Sequence, residues 1–339
     1  MTRRGLFVGL CALCVAAIAV YAWVRPARRA APPPAAVAAR LDAVPAAPYL
    51  AFRSLTVDDS YNHVVFATLS ALQKRYVTPV ACVRFHMNAG RGICLDAQDQ
   101  GFAMRYFAYV FDEQFRRGAE FTLTGIPSRA RVSPDGRRAA VTVFEGGHSY
   151  ADATFSTRTT LLDLGSGTTL GDLEQFRVER EGRPFKAVDF NFWGVTFARD
   201  SDRYYATLAS AGVYYLVEGR VSMKTMRVIR AGVECPSLSP DERHLAFKSR
   251  RPGGGEPFWD LRVLDLATLQ ETALTPEQRS VDDQVEWIDD ERVAYQLVGE
   301  SGGEIWATRI DGRSAPSRLL ASAYTPAMVR PAATAAGTY

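Results

Sequence analysis

A short hairpin recurs along this chain, and the recurrence limits the available folds more than any other feature. Its best copies are Arg131-Val-Ser-Pro-Asp-Gly-Arg-Arg-Ala-Ala-Val-Thr142 and Val233-Glu-Cys-Pro-Ser-Leu-Ser-Pro-Asp-Glu-Arg-His-Leu-Ala-Phe-Lys-Ser249. In each, an apolar strand runs into Ser-Pro-Asp and a second strand leaves. Ser at i and Pro at i+1 suit a type I turn, whose i+3 position favours the glycine found at Gly136. Weaker copies occupy residues 195–206 and 285–295. A chain built from repeated hairpins stacks them or arranges them in a ring.

From Tyr49 onward the sequence alternates short apolar strands with polar turns, and no long amphipathic helix interrupts it. Six units emerge. The first spans residues 49–78 and is one strand short. The second spans 82–123, the third 128–173, the fourth 191–230, the fifth 234–274 and the sixth 284–320. Within units three to six, Thr160–Asp163 and Leu261–Leu266 read as outer strands. About four strands per unit, at a period of roughly 45 residues, is the pattern of a β-propeller blade. An open blade edge would expose unpaired backbone groups. The final strand, near Thr325–Val329, is therefore expected to complete the first blade. The fold class is all-β: a six-bladed propeller behind an N-terminal helix.

That helix is Gly5–Val24, an uncharged run of twenty residues flanked by Arg3-Arg4 and by Arg25, Arg28 and Arg29. It is long enough to cross a bilayer core of roughly 30 Å. A cleaved signal would be shorter and followed by a small-x-small site, which Tyr21-Ala-Trp-Val-Arg-Pro26 does not offer; an uncleaved anchor is the expectation. The domains are then an anchor over 1–25, a Pro/Ala-rich linker over 26–48, the propeller over 49–329 and a tail over 330–339. Residues 1–40 hold six of the 40 basic residues and none of the 37 acidic ones. The remaining body is slightly acidic and has no electrostatic footprint for nucleic acid.

The Ser-Pro-Asp-Gly/Glu hairpins, one of them followed by Ala-Phe-Lys-Ser, resemble the WD40-like propeller repeats of the TolB family. Over residues 47–329 the chain looks most like the membrane-anchored TolB-like translocation proteins of bacterial envelopes. The resemblance implies a six-bladed extracytoplasmic propeller, tethered to the cytoplasmic membrane through residues 5–24, that binds an envelope protein or peptide. It implies a monomer and no cofactor. Similar repeats also occur in peptidase propellers and polysaccharide lyases. The chain departs from TolB in having an anchor and no α/β domain before the propeller, so partner identity does not carry over.

No catalytic motif survives its context. Gly299-Glu-Ser-Gly-Gly303 has the G-x-S-x-G spacing, but strands rather than a strand and a helix flank it. His63, His86, His148 and His244 lack metal-ligand spacing. Three of them read as structural, and His148, in a Gly-rich loop, remains a candidate. Blade register gathers Arg129, His148, Tyr150, Asp189, Asn191, Trp193, Glu234, Asp282 and Asp283 on one propeller face, opposite the Ser-Pro-Asp turns. These are the candidate binding residues. The plain alternative is that Trp193 packs between blades and the acids cap loop amides. A second functional reading is a metal-assisted lactonase or lyase with Asp189, Asn191, Glu234 and Asp283 as oxygen ligands. Cys82 and Cys94, symmetric about Asn88, are either a disulfide across a hairpin or two buried thiols.

Overall fold

The recurring hairpins reverse over turns closed by the same bond. Gly136 N donates to Ser133 O, Ser201 N to Ala198 O and Glu242 N to Ser239 O, each at 2.9 Å. The aspartate stabilises the turn from inside. Asp135 accepts from Ser133 Oγ at 2.6 Å and from Arg137 N at 2.9 Å, and Asp241 accepts from Ser239 Oγ and Arg243 N in the same way. The fourth residue takes a positive φ: 70° at Gly136, 56° at Ser201 and 62° at Glu242. Only glycine adopts that conformation without cost, so the glycine copy is the clearest in sequence.

A computed structural model describes residues 13–16, 19, 48–146, 155–253, 256–299 and 302–330. Its strands form six sheets arranged as propeller blades. Blade 1 has Ala323–Val329 as its innermost strand, followed outward by Tyr49–Ser54, His63–Ala67 and Tyr76–Ala81. The C-terminal strand therefore closes the ring, pairing antiparallel with the first strand from Tyr49↔Val329 to Ser54↔Ala323. The inner strands of blades 2 to 6 are Arg84–Asn88, Ile126–Val132, Asn191–Phe197, Glu234–Leu238 and Glu286–Trp287. The strands containing Thr160–Asp163 and Leu261–Asp265 are third strands, not outermost: Thr168–Asp172 and Glu271–Ala273 pair outside them.

Blade 4 has six strands. Arg177–Arg180 adds parallel to its edge strand Thr225–Ala231, and Arg183–Phe185 folds back on it. The sequence reading passed over this hairpin. Its two-residue turn, Glu181-Gly182, takes φ of 54° and 72°, and its strands are too short and charged to stand out by periodicity.

The core lies between blades. Along Tyr49–Ser54, Tyr49 and Ala51 pack toward blade 2, while Leu50 and Phe52 pack toward blade 6. Equivalent clusters join blades 2 and 3, 3 and 4, 4 and 5, and 5 and 6. Both faces of each blade are covered, so the strands read as nearly continuous apolar runs rather than alternating ones.

Cys82 and Cys94 form a disulfide with Cα atoms 5.6 Å apart. Its geometry differs from the expected one. The hairpin register pairs Arg84 with Leu95 and Phe85 with Cys94, so it centres on Ala89-Gly90 rather than Asn88. Cys82 precedes the strand and reaches Cys94 without directly opposing it. Of the expected anchor, Leu13–Ala16 and Ala19 are helical; its remaining residues lie outside the described ones. No helix among the described residues is long and apolar enough to cross a membrane.

Candidate functional site at the propeller axis

Side chains from several inner strands meet around the axis, and there the ring concentrates buried charge. Arg129 and Arg131 are two residues apart in blade 3 and are both buried. Blade 6 lies opposite and presents Asp283 and Glu286. Arg129 Nε sits 2.9 Å from Asp283 Oδ1, and Arg84 Nη1 of blade 2 sits 3.1 Å from Asp283 Oδ2. Arg129 Nη2 also donates to the Asp282 carbonyl at 3.1 Å. One carboxylate thus holds two guanidiniums. Burial pushes the Asp283 pKa up, but Arg129 and Arg84 outweigh it and hold it below the usual value.

Deeper in the channel, Arg131 pairs with Glu286 and donates to the Val285 carbonyl at 3.0 Å. His86 Nδ1 accepts from Val132 N at 3.1 Å, which leaves Nε2–H facing Glu286 Oε2 at 3.4 Å. Burial lowers the His86 pKa, so the ring is neutral at neutral pH. Glu286 is pushed up by burial, yet Arg131 and His86 bring it down to about 2. The Arg131 bonds span the axis between opposing blades 3 and 6, and His86 joins them from blade 2. The channel is cross-braced, not open.

Toward the mouth, Lys248 is buried, pairs with Asp282 and lies 4.3 Å from the Trp259 ring centroid. Trp259 Nε1 donates to Glu234 Oε1 at 3.1 Å. Burial raises the Glu234 pKa, opposed by Lys248. On the turn side of the brace a cavity of about 270 Å³ opens, lined by Pro134, Phe197, Arg199, Pro240, Trp287 and Arg330 among others.

The structure divides the sequence candidates. Arg129, Asp282, Asp283 and Glu234 gather at the axis. Asp189 is instead bonded to Ser210 Oγ at 2.8 Å and Ala211 N at 2.6 Å, capping a neighbouring hairpin. Asn191 Oδ1 accepts from Thr157 N at 2.8 Å and so ties blade 4 to blade 3. Trp193 is fully buried against Phe155, Tyr214 and Cys235. His148 and Tyr150 lie outside the described residues. Asp189, Asn191, Glu234 and Asp283 each bond different groups. Among the described residues no three His, Cys, Asp or Glu side chains come together as a metal site. Gly299 pairs with Gly302 and a strand continues from there, so the described residues supply no helix of the kind a nucleophile elbow requires.

Sequence reasoning missed Arg84, Arg131, Lys248 and Glu286, and named His86 only as a structural histidine. A faint signal existed. Lys248 interrupts Leu-Ala-Phe-Lys-Ser, and a lone charge in a strand buried on both faces must point toward a partner.

No family model matches the sequence, and no curated protein matches it. Solved structures do. TolB from Acinetobacter baumannii superposes with a TM-score of 0.58 at 15% identity, covering 84% of this chain and 67% of that one. A chain of the nidogen/laminin complex gives 0.54 at 9% identity, covering 83% and 98%. An oligogalacturonate lyase in complex with manganese gives 0.48 at 10% identity, covering 73% and 71%, and a likeness at that level carries no argument. Identities this low speak to architecture alone, and by its closed ring of six sheets the chain has a TolB-like six-bladed β-propeller fold.

Proposed function

We propose that this protein is a non-enzymatic propeller, tethered on the extracytoplasmic side of the cytoplasmic membrane, that binds another envelope protein. The distribution of exposed apolar side chains carries the reading. Among the described propeller residues, Val57, Tyr61, Phe102, Met104, Val188, Val213 and Val298 are large, apolar and exposed. Val188 enters the inner strand of blade 4, and the others sit where second and third strands of blades 1, 2, 4 and 6 connect. Antiparallel order brings all of these segments to one face, the face bearing Arg129, Glu234 and Asp283. Among the described residues, only Met223 and Leu269, in turns between third and fourth strands, are large exposed apolar residues of the opposite face.

Burying apolar surface is worth about 25 cal/mol per Å², and loops on a rigid scaffold are the usual site of recognition. The axis supports binding over catalysis, because its carboxylates are held by arginines and a lysine. Phe102 and Val298 replaced by a photocrosslinking amino acid should each yield the same discrete crosslinked protein in cells, while Met223 replaced likewise yields none. A crosslink from position 223 alone would put the interface on the wrong face. Alkaline phosphatase fused after Tyr339 should be active; an inactive fusion alongside a working cytoplasmic reporter would reverse the orientation.

A further inference from the structure

The cavity of about 270 Å³ on the turn side is a well at the propeller axis, floored by the Arg131–Glu286 pair and rimmed by the turns of blades 3 to 5. Its charges are matched. Arg131 holds Glu286, while Glu242 accepts from Arg199 N and pairs with Arg203. The Arg330 guanidinium donates to the carbonyls of Met328, Trp287 and Ile288. An ion would have to displace one of these partners, so the well suits a neutral ligand.

Hydrogen bonding in the wall is one-sided. The side-chain acceptors are taken: Asn88 Oδ1 by Ala89 N at 3.1 Å and Arg330 N at 3.3 Å, Thr196 Oγ1 by Leu238 N at 3.1 Å, and Glu286 Oε1 by Met328 N at 3.1 Å. Donors are left over. Asn88 is 7% exposed and Ser237 2%, yet among the described residues Asn88 Nδ2 and the Ser237 hydroxyl have no partner. Arg131 Nε is buried without an acceptor as well. Native interiors rarely leave such donors unmatched. Between them stand the apolar groups of Pro134, Phe197, Pro240 and Trp287. Water suits this wall poorly, because it donates as readily as it accepts and gains nothing from the apolar groups. Its release therefore favours an occupant.

A saccharide shares that fault, since each of its hydroxyls also donates. The wall calls for carbonyl oxygens with few N–H groups beside them. Proline supplies them, having no backbone N–H. A polyproline II segment makes no internal hydrogen bonds, so its carbonyls stay available, and such segments dock against aromatic-lined grooves. The well has the volume of about nine waters, which admits a short extended stretch and no folded element. We propose that this well binds a proline-rich peptide segment of another protein. Asn88, Ser237 and Arg131 would donate to its carbonyls, and its rings would lie against Pro134, Phe197, Pro240 and Trp287. The well is on the face opposite the exposed loop tips, so this site is separate from the interface proposed there.

The test titrates the full chain in detergent with the acetylated, amidated peptide Ala-Pro-Pro-Ala-Pro-Ala, followed by calorimetry. Saturable binding in the millimolar range or tighter is expected, and the all-alanine peptide of equal length should bind about tenfold more weakly. Ser237→Ala should weaken binding by roughly threefold or more, the size of one lost neutral hydrogen bond, at an unchanged melting temperature. A diazirine form of the peptide should label the strands carrying Asn88, Phe197 or Ser237. No saturable binding, equal binding of the two peptides, full affinity in Ser237→Ala, or labelling confined to other strands would each overturn the proposal. So would binding that appears only once Pro32, Pro33 and Pro34 are changed to alanine, because the well would then serve this chain's own linker. Crosslinking from Phe102 and Val298 reports on the opposite face, so either reading can fail without the other.

Discussion

Arg129 and Asp283 meet at 2.9 Å across the propeller axis, although one lies in blade 3 and the other leads into blade 6. Blades three positions apart in a ring of six face one another, so this pair fixes a diameter. Arg131 and Glu286 fix a second one, a step deeper. Neighbouring blades are joined by apolar packing, which is non-directional. Cross-axis ion pairs supply the direction, setting how far each inner strand advances toward the centre.

Asp283→Ala should therefore be severe. It leaves Arg129 and Arg84 facing each other with no shared carboxylate, and breaking a buried pair typically costs about 3–5 kcal/mol. Urea unfolding would measure it. The double variant Arg129→Met, Asp283→Leu should lose less than the sum of the single losses. Additive losses would mean that the two residues do not act as a pair.

Acid should weaken the fold in stages. Glu286 has a folded-state pKa of about 2 against an ordinary 4.5. A depressed pKa means that the unfolded chain binds the proton more readily. This contribution is whole above about pH 4.5 and is lost as pH falls toward 2. His86 is also depressed, mainly by burial, so its contribution is whole above about pH 6.5 and declines below it. Denaturation midpoints between pH 7 and 3 should fall throughout, and Glu286→Gln should flatten the lower part of the curve. Parallel curves would place the acid sensitivity elsewhere.

Ring closure makes truncation position-dependent. Removing residues 323–339 deletes the innermost strand of blade 1 and the donor Arg330 N–H to Asn88 Oδ1 at 3.3 Å. The domain should lose cooperative unfolding. Removing 331–339 spares every described strand and should leave the melting temperature within a few degrees. Equal melting temperatures for the two truncations would contradict the closure.

The Cys82–Cys94 bridge closes a short loop, with a sequence separation of 12. In the chain-entropy view such a bridge stabilises by about 3 kcal/mol, provided the domain folds in an oxidising compartment. Peptide mapping without reductant should recover the linked pair, and reductant should lower the melting temperature. Two alkylatable thiols in protein taken from the envelope would remove the bridge.

Local rules made much of the fold legible. A Ser-Pro-Asp turn is a four-residue matter of φ angles and side-chain caps, so Ser133–Gly136 and Ser239–Glu242 could be placed on inspection. Six-fold repetition then implied a ring, and the missing strand of unit one implied closure by Thr325–Val329. The inserted hairpin Arg177–Phe185 escaped because strands of four and three residues carry too few alternations to register. The site was less legible for a different reason. Asp189, Asn191 and Asp283 are similar residues, yet the first caps a hairpin of its own blade, the second bonds a strand of blade 3 and the third reaches two arginines at the axis. Residue type and blade register determine which face a side chain occupies. Its partner depends on how far each inner strand penetrates and what the opposing blade presents there. Those distances come from packing six blades at once, and only the tertiary structure decides them.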